Sequence, residues 1–195
     1  MTDRKRIILG VSGASGAVLA YRTALALNAA DVELHLVVTE AARLTWETEC
    51  SLPFSALTDT ARVCYDPGDV AAAISSGSFL TDGMLVVPCS MKTLAGIVSG
   101  YSDNLLLRAA DVCLKEGRAL VLCPREMPLG KVHLRNLKDA ADLGCTIVPP
   151  MLTFYSGQTT LEDQLDQIVG KLLMPFGLPF QNFRPWQKPE GRHDF

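Results

Sequence analysis

The sequence predicts an α/β fold: a doubly wound, mostly parallel sheet with helices on both faces. Three observations lead there. Segments with helical spacing of apolar residues alternate with short apolar runs along most of the chain. Runs such as Leu85-Val86-Val87 and Leu120-Val121-Leu122 are apolar at successive positions, as strands covered on both sheet faces require. Gly117 and Gly144 each close a helical segment just before such a run, the handover expected of α/β units.

Taken in order, residues 5–11 read as a strand and 15–29 as a helix; 32–39 alternate as a second strand, followed by a helix over 40–50. A stretch punctuated by proline and serine leads to a short strand near 62–65 and a helix over 69–76. The strand at 84–88 stops at Pro88, a helix begins after Lys92, and Gly100 breaks it. A long helix over 103–116 precedes the strand 119–123; the loop 124–130 then enters a helix over 131–143 and a last strand at 146–148. From Thr159 a final helix, opened by a Thr159-x-x-Glu162 capping box, carries Leu161, Leu165, Ile168, Val169, Leu172 and Leu173 on one face.

With 195 residues, the chain is long enough to bury one substantial core, so a single domain over 1–195 is expected, with a C-terminal tail from about 175. A net charge of −3 offers no footprint for nucleic acid. Six cysteines, none in a C-x-x-C pair, read as small buried hydrophobes in a reducing compartment. The charged start Met1-Thr2-Asp3-Arg4-Lys5-Arg6 feeds a short strand, not a secretory signal, and no apolar run approaches the roughly 20 residues of a membrane span. A cytoplasmic protein with no membrane partner is the expectation. The three histidines form no metal-ligand spacing, so neither a metal site nor a histidine-driven hydrolase is expected.

Ligands of open parallel sheets sit beyond the carboxyl ends of the strands, so the polar residues there are the candidates. They are Ser12, Ser15 and Gly16; Thr39; Ser90, Lys92 and Thr93; Arg125 and Glu126; and Tyr155 in the segment after Pro150. Ser90, Lys92 and Thr93 place hydroxyl and ammonium donors at a helix start, which makes an anion cradle. Gly10, Gly13 and Gly16 follow G-x-x-G-x-x-G spacing rather than the dinucleotide pattern, and Thr39 ends the second strand where an acid would hold a ribose. A mononucleotide such as FMN fits better than NAD. Arg108 and Lys115 share a helix face, with Asp111 near enough to pair with Arg108, which by spacing alone describes a solvated charged face. Glu126 follows Arg125 directly and either holds its guanidinium or moves protons; Glu49 is a surface acid or a buried proton donor. Ser15 lies outside any G-x-S-x-G nucleophile elbow.

Taken together, Gly10-Val11-Ser12-Gly13-Ala14-Ser15-Gly16, Ile74-Ser75-Ser76-Gly77-Ser78-Phe79, Pro88-Cys89-Ser90-Met91-Lys92-Thr93-Leu94-Ala95-Gly96-Ile97, the run from Arg108 to Glu116 and Arg125-Glu126-Met127-Pro128-Leu129 resemble the UbiX-type flavin prenyltransferases, a family related to the flavin-dependent components of phenolic acid decarboxylases. The resemblance covers nearly the whole chain. It implies a flavodoxin-like, Rossmann-type fold and transfer of a dimethylallyl group from dimethylallyl phosphate to N5 and C6 of reduced FMN. The prenylated FMN would serve a UbiD-type aromatic acid decarboxylase. By motif, Ala14, Ser15, Gly16, Thr39, Ser90, Met91, Lys92, Thr93 and Arg125 would hold FMN. Arg108, Lys115, Arg125, Glu126, Tyr155 and Lys171 would surround the prenyl phosphate, with Trp186 walling the prenyl pocket. Ser15, Glu49 and Glu126 would be the catalytic residues, with no metal. Such basic residues suit the chemistry, because a departing phosphate and a developing allyl cation both need stabilising. Thr39 stands where the family usually has serine, and Lys171 where arginine is common, which removes a bidentate fork. The resemblance also implies a homo-oligomer, often a dodecamer.

Two other readings share the fold. An FMN-dependent cysteine-type decarboxylase would need a histidine in the helix after the second strand and an asparagine in a P-x-M-N segment. Here the chain reads Ala41-Ala42-Arg43-Leu44-Thr45 and Pro149-Pro150-Met151-Leu152-Thr153. The other reading is a flavin carrier that serves a decarboxylase and has no chemistry of its own.

Overall fold

Six parallel strands form one sheet in the order β3-β2-β1-β4-β5-β6 in the computed structural model, which describes residues 4–155, 157 and 160–186. The strands are β1 (Arg6–Val11), β2 (Glu33–Val38), β3 (Val63–Tyr65), β4 (Gly83–Cys89), β5 (Ala119–Pro124) and β6 (Thr146–Ile147). The helices are α1 (Ala17–Ala29), α2 (Glu40–Glu49), the single turn α3 (Ser55–Thr58), α4 (Met91–Ser99), α5 (Leu105–Lys115), α6 (Lys131–Asp142) and α7 (Leu161–Leu173). The chain winds outward from β1 to β3, then returns to the other side of β1 and winds outward again. The reversal between β1 and β4 opens a crevice at their carboxyl ends.

Strand alternation divides the core into two layers. Ile7, Leu9, Val11, Leu34, Leu36, Leu85, Val87 and Val121 point to the side covered by α1, α2 and α7. Ile8, Val37, Met84, Val86, Leu120 and Leu122 point to the side covered by α4, α5 and α6. Leu165, Ile168, Val169, Leu172 and Leu173 of α7 are buried against the first layer, whereas Leu161 is exposed. Cys89, Cys113, Cys123 and Cys145 are buried, Cys50 is half-buried and Cys64 is exposed on the edge strand. Burial pushes the Cys113 and Cys123 thiols up to about 12, so they remain protonated apolar fillers.

Several elements differ from the sequence reading. The expected helix over 69–76 is only a 3-10 turn at Ala73–Ser75. Asp66 and Asp69 accept hydrogen bonds from the N–H groups of Gly68 and Ala71, each two residues on, and such turns compete with helix formation. β4 runs past Pro88 to Cys89, and α4 begins at Met91, because Ser90 is its N-cap: Oγ accepts from the Thr93 N–H at 3.2 Å. α1 starts at Ala17, since Gly16 holds a left-handed φ of 108°. The cap of α7 is Thr160, paired reciprocally with Asp163; Thr159 lies outside the described residues.

Candidate functional site

The carboxyl edge of the sheet is laced together by hydrogen bonds beyond the regular ladder. The Thr39 N–H donates to Val11 O at 3.0 Å, joining β2 to β1, and the Arg125 N–H donates to Cys89 O at 3.1 Å, joining β5 to β4. Between them, Ser12 joins β1 to β4: its N–H and Oγ both donate to Pro88 O, and Oγ accepts from the Ser90 N–H at 2.8 Å. Thr39 is also the N-cap of α2, its Oγ1 accepting from the Ala42 N–H. The loop after β1 lies flush on α2, because a Cβ at Gly13 would fall 2.5 Å from Ala41 Cβ.

Two cavities open on this edge and share the β4–α4 turn. One, of about 520 Å³, is lined by Gly13, Thr39, Glu40, Pro67, Ser90, Lys92, Thr93 and Asn104, with Ala41, Gly68 and Leu107 completing the wall. Hydroxyls, an ammonium group and a helix N-terminus suit a phosphate and a polyol chain. The other, of about 470 Å³, is lined by Met91, Leu137, Ile147, Pro149, Pro150 and Met151 around Arg125 and Glu126. Its apolar walls and one strong cation suit a flat or branched apolar group that carries an anion.

Glu49, the last residue of α2, caps α1. Its Oε2 accepts from the Gly16 N–H at 2.8 Å and the Ala17 N–H at 3.1 Å, replacing the side-chain cap that Gly16 lacks. Burial works to raise the Glu49 pKa. Hydrogen bonds from Ser15, Gly16 and Ala17, with the charge of Arg125, outweigh it and hold the carboxyl below its ordinary value. Glu49 is therefore an ionised acceptor at neutral pH, with the Ser15 hydroxyl beside it.

The expected residues divide into two groups. Thr39, Ser90, Lys92 and Thr93 line the polar cavity; Met91, Arg125 and Glu126 line the apolar one; Ala14, Ser15 and Gly16 form the turn joining β1 to α1, with Glu49 on it. None of Arg108, Lys115, Tyr155, Lys171 or Trp186 lines either cavity. Arg108 donates to Ser75 O at 3.1 Å and pairs with Asp111 at 2.7 Å, while Lys115 pairs with Glu116. Lys171 lies over the Phe183 ring, and Tyr155 and Trp186 are exposed. Glu126 accepts from the Met127 N–H and makes no ion pair with Arg125 among the described residues.

Sequence reasoning left Asn104 and Glu40 out of the site. Asn104 immediately precedes Leu105-Leu106-Leu107 and caps α5 by accepting from the Leu107 N–H, a signature that was legible. Gln164 carried no such signal. Its amide brackets the backbone of Thr153, accepting from the N–H at 2.8 Å and donating to the carbonyl at 2.9 Å, and so fixes the loop that carries Tyr155.

The flavoprotein family model matches residues 1–174. The flavin prenyltransferase UbiX of Escherichia coli (strain K12) is 48% identical over 186 residues, which span 94% of this chain and 98% of that protein. Among solved structures, AnUbiX (PadA1) in complex with FMN and dimethylallyl pyrophosphate matches with a TM-score of 0.94 at 44% identity, covering 96% of this chain and 100% of that one. A dodecameric FMN-dependent UbiX-like decarboxylase from Escherichia coli O157:H7 matches with a TM-score of 0.91 at 47% identity, covering 94% of this chain and 100% of the other.

Proposed function

Because the chain belongs to the flavoprotein family, and within it to the UbiX flavin prenyltransferases, we propose that it joins the dimethylallyl group of dimethylallyl phosphate to N5 and C6 of reduced FMN, making prenylated FMN. The observation that carries this reading is the pair of cavities sharing one turn, polar on one side and apolar on the other, with Arg125 and an ionised Glu49 beside it. The residues present fit FMN. Thr39, Ser90, Lys92 and Thr93 form a donor set for its phosphate and ribityl chain, and the close seat of Gly13 on α2 keeps that cavity clear of a side chain. Met91, with Ala14, Ser15 and Gly16, would hold the ring end. Bound in its reduced form, FMN supplies the nucleophilic atoms that take the prenyl group.

The chain's own groups supply the rest. The Arg125 guanidinium neutralises the prenyl phosphate as it departs, which favours the transition state more than the ground state. The Glu49 carboxylate takes a proton passed through Ser15 Oγ, and Glu126, on the wall of the apolar cavity, serves a second proton transfer. Arg108, Lys115, Tyr155 and Lys171 complete the phosphate shell and Trp186 walls the prenyl group. That none of them lines either cavity of its own chain supports a homo-oligomer in which neighbouring copies contribute them; the dodecameric relative is consistent with that assembly.

No helix among the described residues is long and apolar enough to cross a membrane. We place the enzyme in the cytoplasm, acting as one domain with a tail from about 175, and its product in a UbiD-type decarboxylase.

Anaerobic incubation of the protein with reduced FMN and dimethylallyl phosphate, followed by mass analysis, should show flavin that has gained one dimethylallyl unit. Unchanged flavin with both the phosphate and the pyrophosphate donor, or release of carbon dioxide from a peptidyl cysteine, would overturn the reading.

A further inference from the structure

We propose that Ser12 is a positioning residue: it sets the spacing between the two backbone turns that form the FMN cradle without itself touching FMN. The inference rests on the cradle reading above and on the geometry of one buried hydroxyl.

The regular pairing of β1 with β4 ends at Gly10 and Val86. Beyond that pair β4 continues for three residues, and its pairing with β5 is irregular between Val86 and Cys89. Pro88 lies in this interval and has no N–H to offer, so a ladder bond is missing where the two strands diverge into their turns. Ser12 takes its place. It is 1% exposed. Its N–H donates to Pro88 O at 3.2 Å, its Oγ donates to the same oxygen at 3.0 Å, and Oγ accepts from the Ser90 N–H at 2.8 Å.

The hydroxyl proton has one assignment that satisfies all three groups: it points to Pro88 O, leaving the lone pairs of Oγ for Ser90. The contact therefore binds the first residue after β1 to the first residue after β4. Gly13 follows Ser12 directly and lines the polar cavity; Ser90 caps α4 and lines the same cavity with Lys92 and Thr93. Moving Ser12 off this contact separates the two walls of one cradle. The position also coincides with the reversal of strand order, where β1 sends α1 to one face of the sheet and β4 sends α4 to the other. An alanine would occupy the same small buried space, so packing alone does not call for serine; the demand comes from the Ser90 N–H and the second lone pair of Pro88 O.

Fluorescence titration with FMN, on purified full-length protein well below its melting temperature, tests this. Ser12→Ala should weaken FMN affinity about tenfold, raise KM for FMN in the prenyl-transfer assay, and leave both kcat and KM for dimethylallyl phosphate near their wild-type values. Ala24→Gly, a fully buried change in α1 remote from the cradle, serves as the stability control: it should lower the melting temperature and keep wild-type FMN affinity. If Ser12→Ala accumulates too little folded protein, Ser12→Cys carries the same expectations, since a thiol keeps a group of similar shape but is a weak donor and acceptor. Wild-type FMN affinity in the Ser12 variant, or a loss no larger than that of Ala24→Gly, would overturn the positioning role while the cradle stands. Failure of the wild-type protein to bind FMN would instead remove the cradle, and this inference with it.

Discussion

At the carboxyl ends of β2, β1 and β4, Thr39, Ser12 and Ser90 bond to the neighbouring turn or cap the following helix, and Thr39 and Ser90 line the polar cavity. The basic face of α5 is organised differently. Arg108 and Lys115 lie against the segment around Ser75 and Gly77, paired with Asp111 and Glu116, and neither reaches Arg125 at the end of β5. An 11-residue helix spans roughly 16 Å, so Lys115 stands a sheet's length from the cavities that the start of α5 adjoins. The contrast separates what a fold can preorganise within itself from what it leaves to assembly. On the proposed reading, the flavin site of turns and helix caps would be complete once the sheet forms, whereas the phosphate shell would be complete only when copies meet.

The strongest way to break that contrast is to disable the self-contained half. Gly13→Val places a branched side chain where even a Cβ would lie 2.5 Å from Ala41 Cβ. FMN affinity should fall by at least about a hundredfold while the protein still melts cooperatively. Affinity within a few-fold of wild type, read by fluorescence titration, would show that the loop after β1 is not a wall of the flavin site.

The assembled half can be probed by complementation. Arg125→Ala should cost about 1.5–3 kcal/mol, roughly ten- to a hundredfold in turnover at low prenyl donor, and Lys115→Ala should act in the same direction. If the two residues meet only across copies, refolded one-to-one mixtures of these variants should regain about a quarter of the sites, because each site draws the residues independently. Mixtures no better than their components would place both residues in the site of a single chain.

A smaller effect sharpens the role of Glu49. Its folded pKa lies below the ordinary 4.5, so its capping of α1 stabilises the protein at pH above that value and is lost as pH falls through the folded value. Glu49→Gln should cost about 0.5–1 kcal/mol near neutrality, an allowance reduced for solvent screening. The gap between the two melting curves should close in acid. Glu33, held at about 2 by the Arg6 hydrogen bond and then by His35, is common to both proteins and titrates further down. A gap that stays constant across this range would mean that Glu49 is not an ionised cap.

Much of this architecture was readable in advance, for physical reasons that can be named. Strands buried on both faces leave runs such as Leu85-Val86-Val87, and caps leave Ser90, so the sheet and the polar cavity were legible. The helix expected over 69–76 was not, because apolar Val70, Ala71, Ala72, Ala73 and Ile74 mimic a helix while Asp66 and Asp69 turn the backbone aside. The charge of Arg108 and Lys115 was legible, and so was the pairing of Arg108 with Asp111, but not the segment around Ser75 and Gly77 that both lie against. Spacing locates a residue on a helix and says nothing about which surface that helix end adjoins. The Ser12 contact was hidden for a related reason: its meaning depends on strand order, which brings residues 12 and 88–90 together across 76 positions or more.

Gln164 grips Thr153 mainly through its backbone, at 2.8 Å from the N–H and 2.9 Å to the carbonyl, with a longer bond of 3.4 Å from the Thr153 hydroxyl. The two backbone bonds are therefore indifferent to the other side chains of the loop they hold. Pro149, Pro150 and Met151, which line the apolar cavity, and Tyr155 beyond them can be exchanged by mutation while the anchor persists, so descent can retailor that cavity without rebuilding the scaffold around it.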